Sequence, residues 1–388
     1  MIQKQNKEEK GKEQVLSERQ MLSEEQVHNE EQVHNEELVL SEEQMPKEEE
    51  YKEAIYYEKK DGFVNCTLCP HNCILKNNQT GICRVRKNIN GKLYSMVYGR
   101  PCSISIDPIE KKPLFHFMPG KTAFSFSTAG CNLRCLNCQN WEISQASYDE
   151  FPADYVSPEE LVESAKSFNS EIIAYTYTEP TVFYEYVYDT AKLSKSEGIK
   201  NVVVSNGYIN EKPLRALCKL VDAANIDLKA FDSKVLMKLT SAKLENVLRT
   251  LKIYKEEGVW LEITFLIIPT YTDDLNKIEE LSAWIVKNLG ESTPFHLSRF
   301  FPSYKLTSLP PTPIETLIRA RELAMKKGLQ YVYIGNLPME SLDEGYENTI
   351  CPNCHKPVIE RFGFEIRSNN IKEGKCPFCG QPIEGVWK

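Results

Sequence analysis

An α/β fold is predicted for this chain: a partial (β/α)6-type barrel, with one small cysteine-rich module before it and another after it. Three observations carry that expectation. Between Lys121 and about Pro338, short apolar runs alternate with amphipathic ones. The 13 cysteines fall into groups of four, three and four, with Cys102 and Cys218 left over as expected buried thiols. A length of 388 residues also suits two or three domains. The expected organisation is a tail over 1–50, a cysteine-rich module over 51–120, the barrel over 121–340 and a terminal module over 341–388.

The tail is a hexapeptide repeat. Val15-Leu-Ser-Glu-Arg-Gln20 recurs from Met21, Val27, Val33 and Val39. A period of six makes the apolar positions spiral around a helix, so no buried stripe forms and disorder is expected. It reads as a solvated extension or as a tether for a partner. The net charge of −8 belongs to this tail, since residues 1–50 carry −9 and the remainder +1. The body therefore has no strong field for nucleic acid or membranes. No apolar run approaches the ~18 residues of a membrane helix, and the start lacks a secretory h-region. A cytoplasmic protein with reduced cysteines is expected.

Within the barrel, Ala123–Thr128 reads as the first strand. Ser157-Pro158-Glu159-Glu160 opens a helix, with Ser157 as N-cap and Glu160 closing a capping box. Strands follow at Ile172–Thr178, Asn201–Ser205, Ala224–Leu228, Trp260–Ile268, Phe295–Phe300 and Tyr331–Ile334. Helices separate them at Thr181–Glu197, stopped by Gly198, then at Lys212–Val221 and Lys234–Glu257, the latter breaking near Thr240. Two more lie at Leu275–Asn288 and Ile314–Lys327. Near-continuous apolar strands alternating with helices imply a parallel sheet with no flanking antiparallel region, its chemistry at the carboxyl ends of the strands.

The C-terminal cysteines, Cys351-Pro-Asn-Cys354 and Cys376-Pro-Phe-Cys379, are two knuckles 21 residues apart. They match a four-thiolate zinc ribbon, in which the metal replaces a core that so few residues hardly build alone. The N-terminal set, Cys66, Cys69, Cys73 and Cys83, lies among Asn, Gly and Pro that read as loops. It can close a site by itself. Zinc is favoured there over a second iron–sulfur cluster, with His71 as an alternative ligand. Pro119-Gly120-Lys121-Thr122 is no phosphate loop, because Phe115 stands where the loop's first glycine belongs.

The central set is Cys131-Asn-Leu-Arg-Cys135-Leu-Asn-Cys138, just after the first barrel strand with Gly130 in the turn. Three thiolates cannot close a four-ligand site, so an iron–sulfur cluster with one iron left open is expected. This CxxxCxxC resembles the signature of radical S-adenosylmethionine (SAM) enzymes. The resemblance implies a radical SAM core fold, a [4Fe–4S] cluster on Cys131, Cys135 and Cys138, and SAM on the open iron. It also implies cleavage of SAM to a 5′-deoxyadenosyl radical that takes hydrogen from a substrate.

Asp227-Leu228-Lys229, at the end of the fourth strand, is similar to the Asp-Leu-Lys of the pyruvate formate-lyase activating enzymes. That likeness implies Lys229 on the SAM carboxylate and Asp227 on its amine or ribose side, which suits their charges. By the same likeness Thr178 and Glu179 end the second strand and Ser205 and Asn206 the third, on the cofactor. Asn137 and Gln139 flank Cys138 on that side, and His296 is a further candidate. Where the activases carry an Asp before Thr-Asn-Gly, this chain has Val204.

A wider likeness runs through Cys-x2-Cys-Pro-His-x-Cys, Asp107-Pro-Ile-Glu-Lys-Lys-Pro-Leu114-x-His116-Phe117 and Tyr175-Thr-Tyr-Thr-Glu-Pro180 to His296-Leu-Ser-Arg299-Phe-Phe-Pro302. It is similar to the radical SAM member of the AmmeMemoRadiSam system. The implied partners are a single-electron donor such as flavodoxin or ferredoxin and, in the activase manner, a protein substrate. Two rivals are an RNA- or peptide-modifying radical SAM enzyme and a non-catalytic metal-binding adaptor. The adaptor predicts no SAM binding, and the small positive balance of the ribbon speaks against RNA.

Overall fold

The computed structural model describes residues 51–151 and 153–388. The hexapeptide tail, and with it the expectation of disorder there, lies outside the described residues.

The first cysteine-rich stretch is not loops. Six short strands, β1 (Lys52–Glu53), β2 (Tyr57–Lys60), β3 (Phe63–Cys66), β4 (Ile74–Lys76), β5 (Arg86–Ile89) and β6 (Lys92–Ser95), pair into two three-stranded antiparallel sheets, β1-β6-β5 and β2-β3-β4. The Asn residues that look like loop signals supply tight turns instead. Asn72, Asn78 and Asn90 take φ of 46°, 64° and 51°, a region Asn tolerates well.

An eight-stranded sheet follows, in the order β14-β13-β12-β11-β10-β9-β8-β7. Its strands are β7 (Ser103–Pro108), β8 (Thr122–Ser127), β9 (Ile172–Tyr175), β10 (Lys200–Ser205), β11 (Ala223–Asp227), β12 (Trp260–Ile267), β13 (Phe295–Arg299) and β14 (Val332–Gly335). From β8 to β14 every pairing is parallel. The expected barrel is present as seven parallel strands. Its edge differs from expectation, because β7 lies antiparallel on β8, drawn from the stretch assigned to the cysteine-rich module. Ser103, Ser105 and Asp107 alternate with exposed Ile104 and Ile106 along β7, so an alternating strand was present in the sequence but short.

Local signals hold along the barrel. Ser157 and Glu160 close the capping box at helix Pro158–Ser167. The expected long helix breaks into Ser233–Thr240 and Leu244–Glu256 at Ser241, which has φ 69°. Thr181–Glu197 begins as a 3-10 turn, Pro180–Phe183, before helix Tyr184–Ser196.

The segment after β7 closes the amino end of the barrel. Ile109, Leu114 and Phe117 bury themselves among Ala123, Ile172, Val202 and Ala223, from the amino-terminal halves of β8 to β11. Each large apolar side chain so buried is worth about 1.5–3 kcal/mol. Asp107 fixes the start of this strap, accepting from Lys111 at 2.8 Å, from Lys112 at 2.6 Å and from the Tyr177 hydroxyl. Burial opposes its charge, but these donors hold the carboxyl below its usual range.

The last sheet, β15 (Thr349–Ile350), β16 (Pro357–Phe362) and β17 (Glu365–Asn369), caps the strap. The Met118 N–H donates to the Val386 carbonyl and the Val386 N–H to the His116 carbonyl, both at 2.7 Å. Arg361 donates to the Phe115 carbonyl at 2.7 Å. The buried His116 ring donates from Nδ1 to the Glu384 carbonyl at 2.6 Å, which leaves Nε2 to accept from the Tyr333 hydroxyl at 2.5 Å. Thus the C-terminal module sits at the amino end of the barrel.

Candidate active site at the carboxyl end of the barrel

Strand β8 delivers the chain into the CxxxCxxC loop through Gly130, at φ 93°. A Cβ there would stand 2.5 Å from Val85 Cγ1 and 2.7 Å from the Cys83 carbonyl, so only glycine fits. The loop is then pinned from two sides. Arg134 and Leu136 donate N–H groups to the Thr240 and Leu239 carbonyls at 3.0 and 2.9 Å. The Lys305 N–H reaches the Leu136 carbonyl at 2.9 Å, and Ser303 Oγ donates to the Cys138 carbonyl at 3.1 Å.

Two of the three sulfurs have protein hydrogen-bond partners. Leu133 N–H lies 3.4 Å and Asn206 Nδ2 3.8 Å from Cys131 Sγ, and Ser144 Oγ is 3.1 Å from Cys138 Sγ. Burial pushes the Cys131 thiol well up and the Cys135 thiol to about 12. Such groups stay protonated until a metal displaces the proton. The loop thus offers three thiols and no fourth cysteine, a set that leaves one corner of a four-ligand site without a protein ligand from this loop.

Lys229, beyond the end of β11, pairs with Asp227 at 2.9 Å, and their side chains are 24% and 31% exposed. Burial works against the ammonium, but Asp227 and the Cys135 sulfur hold it above its ordinary range. A cation and a carboxylate therefore stand together beside the cysteine loop, partly open to a ligand.

The chain matches the Radical SAM superfamily model over residues 125–282. An uncharacterised protein of Methanocaldococcus jannaschii is 49% identical over 338 residues, covering 86% of this chain and 99% of its own.

This chain belongs to the radical SAM superfamily.

A second uncharacterised protein of that archaeon is 26% identical to this radical SAM protein over 286 residues, 71% of this chain and 78% of its own. The pyruvate formate-lyase-activating enzyme of Clostridium pasteurianum is 26% identical over 178 residues, 43% of this chain and 72% of its own. The superfamily's members are enzymes whose shared cofactors are a [4Fe–4S] cluster and SAM, and this chain resembles its activating enzymes.

Several residues expected at the cofactor sit differently. Glu179 is 0% exposed. Its carboxylate accepts from Thr181 N–H, Thr181 Oγ1, Ser205 Oγ and Asn206 N–H at 2.6–3.0 Å. Three of the donors meet Oε1 and one meets Oε2, so Glu179 ties the ends of β9 and β10 together. Ser205 is spent on that tie. Asn206 spans it, bonding Asn132 at 2.9 Å as well as Cys131.

Thr178 Oγ1 donates to the Thr128 carbonyl at 2.9 Å. Asn137 is buried and Gln139 exposed.

His296 is displaced from the chemistry altogether. It is the second residue of β13, buried, with Nε2 2.6 Å from Glu262. Glu262 also accepts the N–H groups of Phe115 and His116 and the Trp260 ring N–H. His296 belongs to the anchor of the strap, at the amino half of the strand.

Ser144 and Ser303 are contacts that sequence reasoning did not find, and so is Trp141, whose ring stacks on Tyr304 at 5.3 Å. No motif marks them. Cys218 is buried as expected, whereas Cys102 is half-buried.

No described helix is long and apolar enough to cross a membrane. At the other end, the ribbon sulfurs pair at 3.6 Å (Cys351 to Cys379) and 3.7 Å (Cys354 to Cys376). Four thiolates at ~2.3 Å around one zinc would stand ~3.8 Å apart, so the set has the size of a single-ion site.

Proposed function

We propose that this chain is a radical SAM enzyme that cleaves SAM reductively and abstracts hydrogen from a substrate, in the manner of an activating enzyme. The observation that carries the reading is the set of three thiols on one loop with the Lys229–Asp227 pair beside them. When bound, a [4Fe–4S] cluster with one iron free of protein supplies the electron that breaks SAM into methionine and a 5′-deoxyadenosyl radical.

Cys131, Cys135 and Cys138 would hold that cluster. Leu133, Asn206 and Ser144 would donate to the sulfurs, which tunes potential. Lys229 would take the SAM carboxylate and Asp227 its ammonium or ribose. Glu179, by locking the turn that carries Asn206, acts as a positioning residue. The electron arrives from a single-electron donor such as flavodoxin or ferredoxin.

The rim of the site supports a macromolecular substrate. Trp141 is 42% and Phe301 39% exposed beside the loop, and exposed aromatics favour contact surfaces. A protein carrying the hydrogen to be abstracted suits such a rim, and the pyruvate formate-lyase-activating relative points the same way. The ribbon, at the far end of the barrel, suits a stabilising zinc without a part in the chemistry.

The test is anaerobic. The reconstituted chain, given dithionite and SAM, should release 5′-deoxyadenosine, and the Cys131→Ala/Cys135→Ala/Cys138→Ala variant should release none while losing about four irons. Absence of 5′-deoxyadenosine from the reconstituted parent would favour the adaptor reading instead.

A further inference from the structure

One hydrogen bond at the cysteine loop has its direction fixed from outside the barrel. Ser144 is 2% exposed, with Oγ 3.1 Å from Cys138 Sγ. It ends the short helix Trp141–Ser144, which is tied to the mouth of the loop where the Gly130 N–H donates to the Ile143 carbonyl at 2.9 Å. A serine hydroxyl has one hydrogen to give and can accept in return. Where that hydrogen goes depends on what else the hydroxyl meets.

It meets Gln145. The Gln145 Nε2 group lies 3.2 Å from Ser144 Oγ and 3.3 Å from the Leu133 carbonyl, and Gln145 Oε1 lies 3.2 Å from Arg84 Nη2. A carbonyl only accepts and a guanidinium only donates, so the amide stands one way round. Its NH2 group faces Ser144, whose oxygen accepts from it. The serine hydrogen is then left for Cys138, whose sulfur, once deprotonated and bound to iron, can only accept.

The outer end of this chain of bonds belongs to the N-terminal module. Arg84 follows Cys83 and takes φ 66°, a region unfavourable to a residue with a Cβ. Backbone held in such regions gathers where a side chain has to be aimed. Two residues on, Arg86 lines the cavity shared by the four N-terminal cysteines and gives its two terminal nitrogens to the buried Glu185 at 2.7 and 2.9 Å. Arg84 instead reaches Gln145 on the active-site side, and its Nη1 is buried without a hydrogen-bond partner.

We propose that Gln145, held by Arg84, is a positioning residue that directs the Ser144 hydrogen to Cys138, so that the N-terminal module takes part in setting the reduction potential at the CxxxCxxC loop. A donor to a cluster sulfur favours the more negative, reduced state and so raises the potential. The proposal rests on the reading of that loop as a [4Fe–4S] site.

The test is a redox titration of the anaerobically reconstituted full chain. It follows the electron paramagnetic resonance signal that added SAM perturbs, which singles out the cluster on this loop. Ser144→Ala and Gln145→Met, both neutral changes, should each lower the midpoint potential with iron content unchanged. The double variant should lie no lower than Ser144→Ala alone, because both changes act on one bond. Arg84→Met should lower the potential of the parent but not of Gln145→Met, which separates action through the amide from the loss of a positive charge. Gln145→Glu keeps the Arg84 contact but offers Ser144 only an acceptor, so it should lower the potential more in the parent than in Ser144→Ala. Additive shifts, or parental potentials in Ser144→Ala and Gln145→Met, would overturn the proposal. A parent whose signal is indifferent to SAM would fail the SAM reading and the proposal with it. A SAM-responsive parent with additive or absent shifts would fail the proposal alone.

Discussion

Each end of the described chain carries four cysteines, and the two sets are built on different frames. At the ribbon the sulfurs pair at 3.6 and 3.7 Å, on two knuckles whose geometry is local. In the N-terminal module they surround a cavity and share it with a buried arginine. Equal ligand counts are therefore reached through unequal frameworks. The ribbon's knuckles set their own spacing, whereas the N-terminal spacing depends on where four separate backbone segments are held. The two sites also differ in position: the ribbon caps the amino end of the barrel and the N-terminal module packs on the loop at its carboxyl end.

The sharpest way to break this comparison is to unmake the ribbon. Cys376→Ser/Cys379→Ser should release the single zinc and lower the melting temperature by roughly 5 °C or more, since metal binding there is folding energy. Formation of 5′-deoxyadenosine should survive, because the contacts that are lost lie at the strap. An abolished SAM cleavage in a folded variant would give the ribbon a catalytic part.

Next in size is the ion pair under the N-terminal cavity. Glu185→Gln leaves the Arg86 charge buried and unpaired, and should cost roughly 3–5 kcal/mol in chemical denaturation. A variant as stable as the parent would show that the guanidinium reaches water.

At the active site, Lys229→Ala should slow 5′-deoxyadenosine release by ~100-fold through a misplaced SAM and leave iron content unchanged. Asp227→Asn should shift the same way. Parental kinetics in both would keep the enzyme class and overturn the two assignments.

The smallest effect is a pH dependence at the strap. Burial lowers the His116 pKa to about 4 from 6.5. The unfolded chain then takes up this proton first as pH falls, so the contribution to stability is present above about 6.5 and is lost on the way down to 4. Between pH 7 and pH 5.5 the loss should be about 1 kcal/mol. His116→Gln should flatten that part of the stability profile, and an unaltered slope would assign it to other groups.

Much of this was legible because it is local. Ser157 and Glu160 mark a capping box by their own spacing, Gly198 ends a helix at φ 78°, and the break near Thr240 follows from the residues around it. The CxxxCxxC spacing states that one loop can offer three thiolates. The ribbon knuckles likewise carry their geometry within four residues each.

What tertiary structure alone decided is where buried polar groups find their partners. Glu179 follows a strand as a cofactor carboxylate would, but its four donors come from Thr181, Ser205 and Asn206, two of them at the end of the neighbouring strand. His296 sits on a barrel strand, yet its partner Glu262 is 34 residues away and fixes it in the strap. Arg86 and Glu185 are 99 residues apart, and Gly130 is required by a carbonyl of another module. A sequence names the donors, acceptors and thiols. Their mutual distances are set by packing between segments far apart in the chain, and that packing decides which of these groups meet.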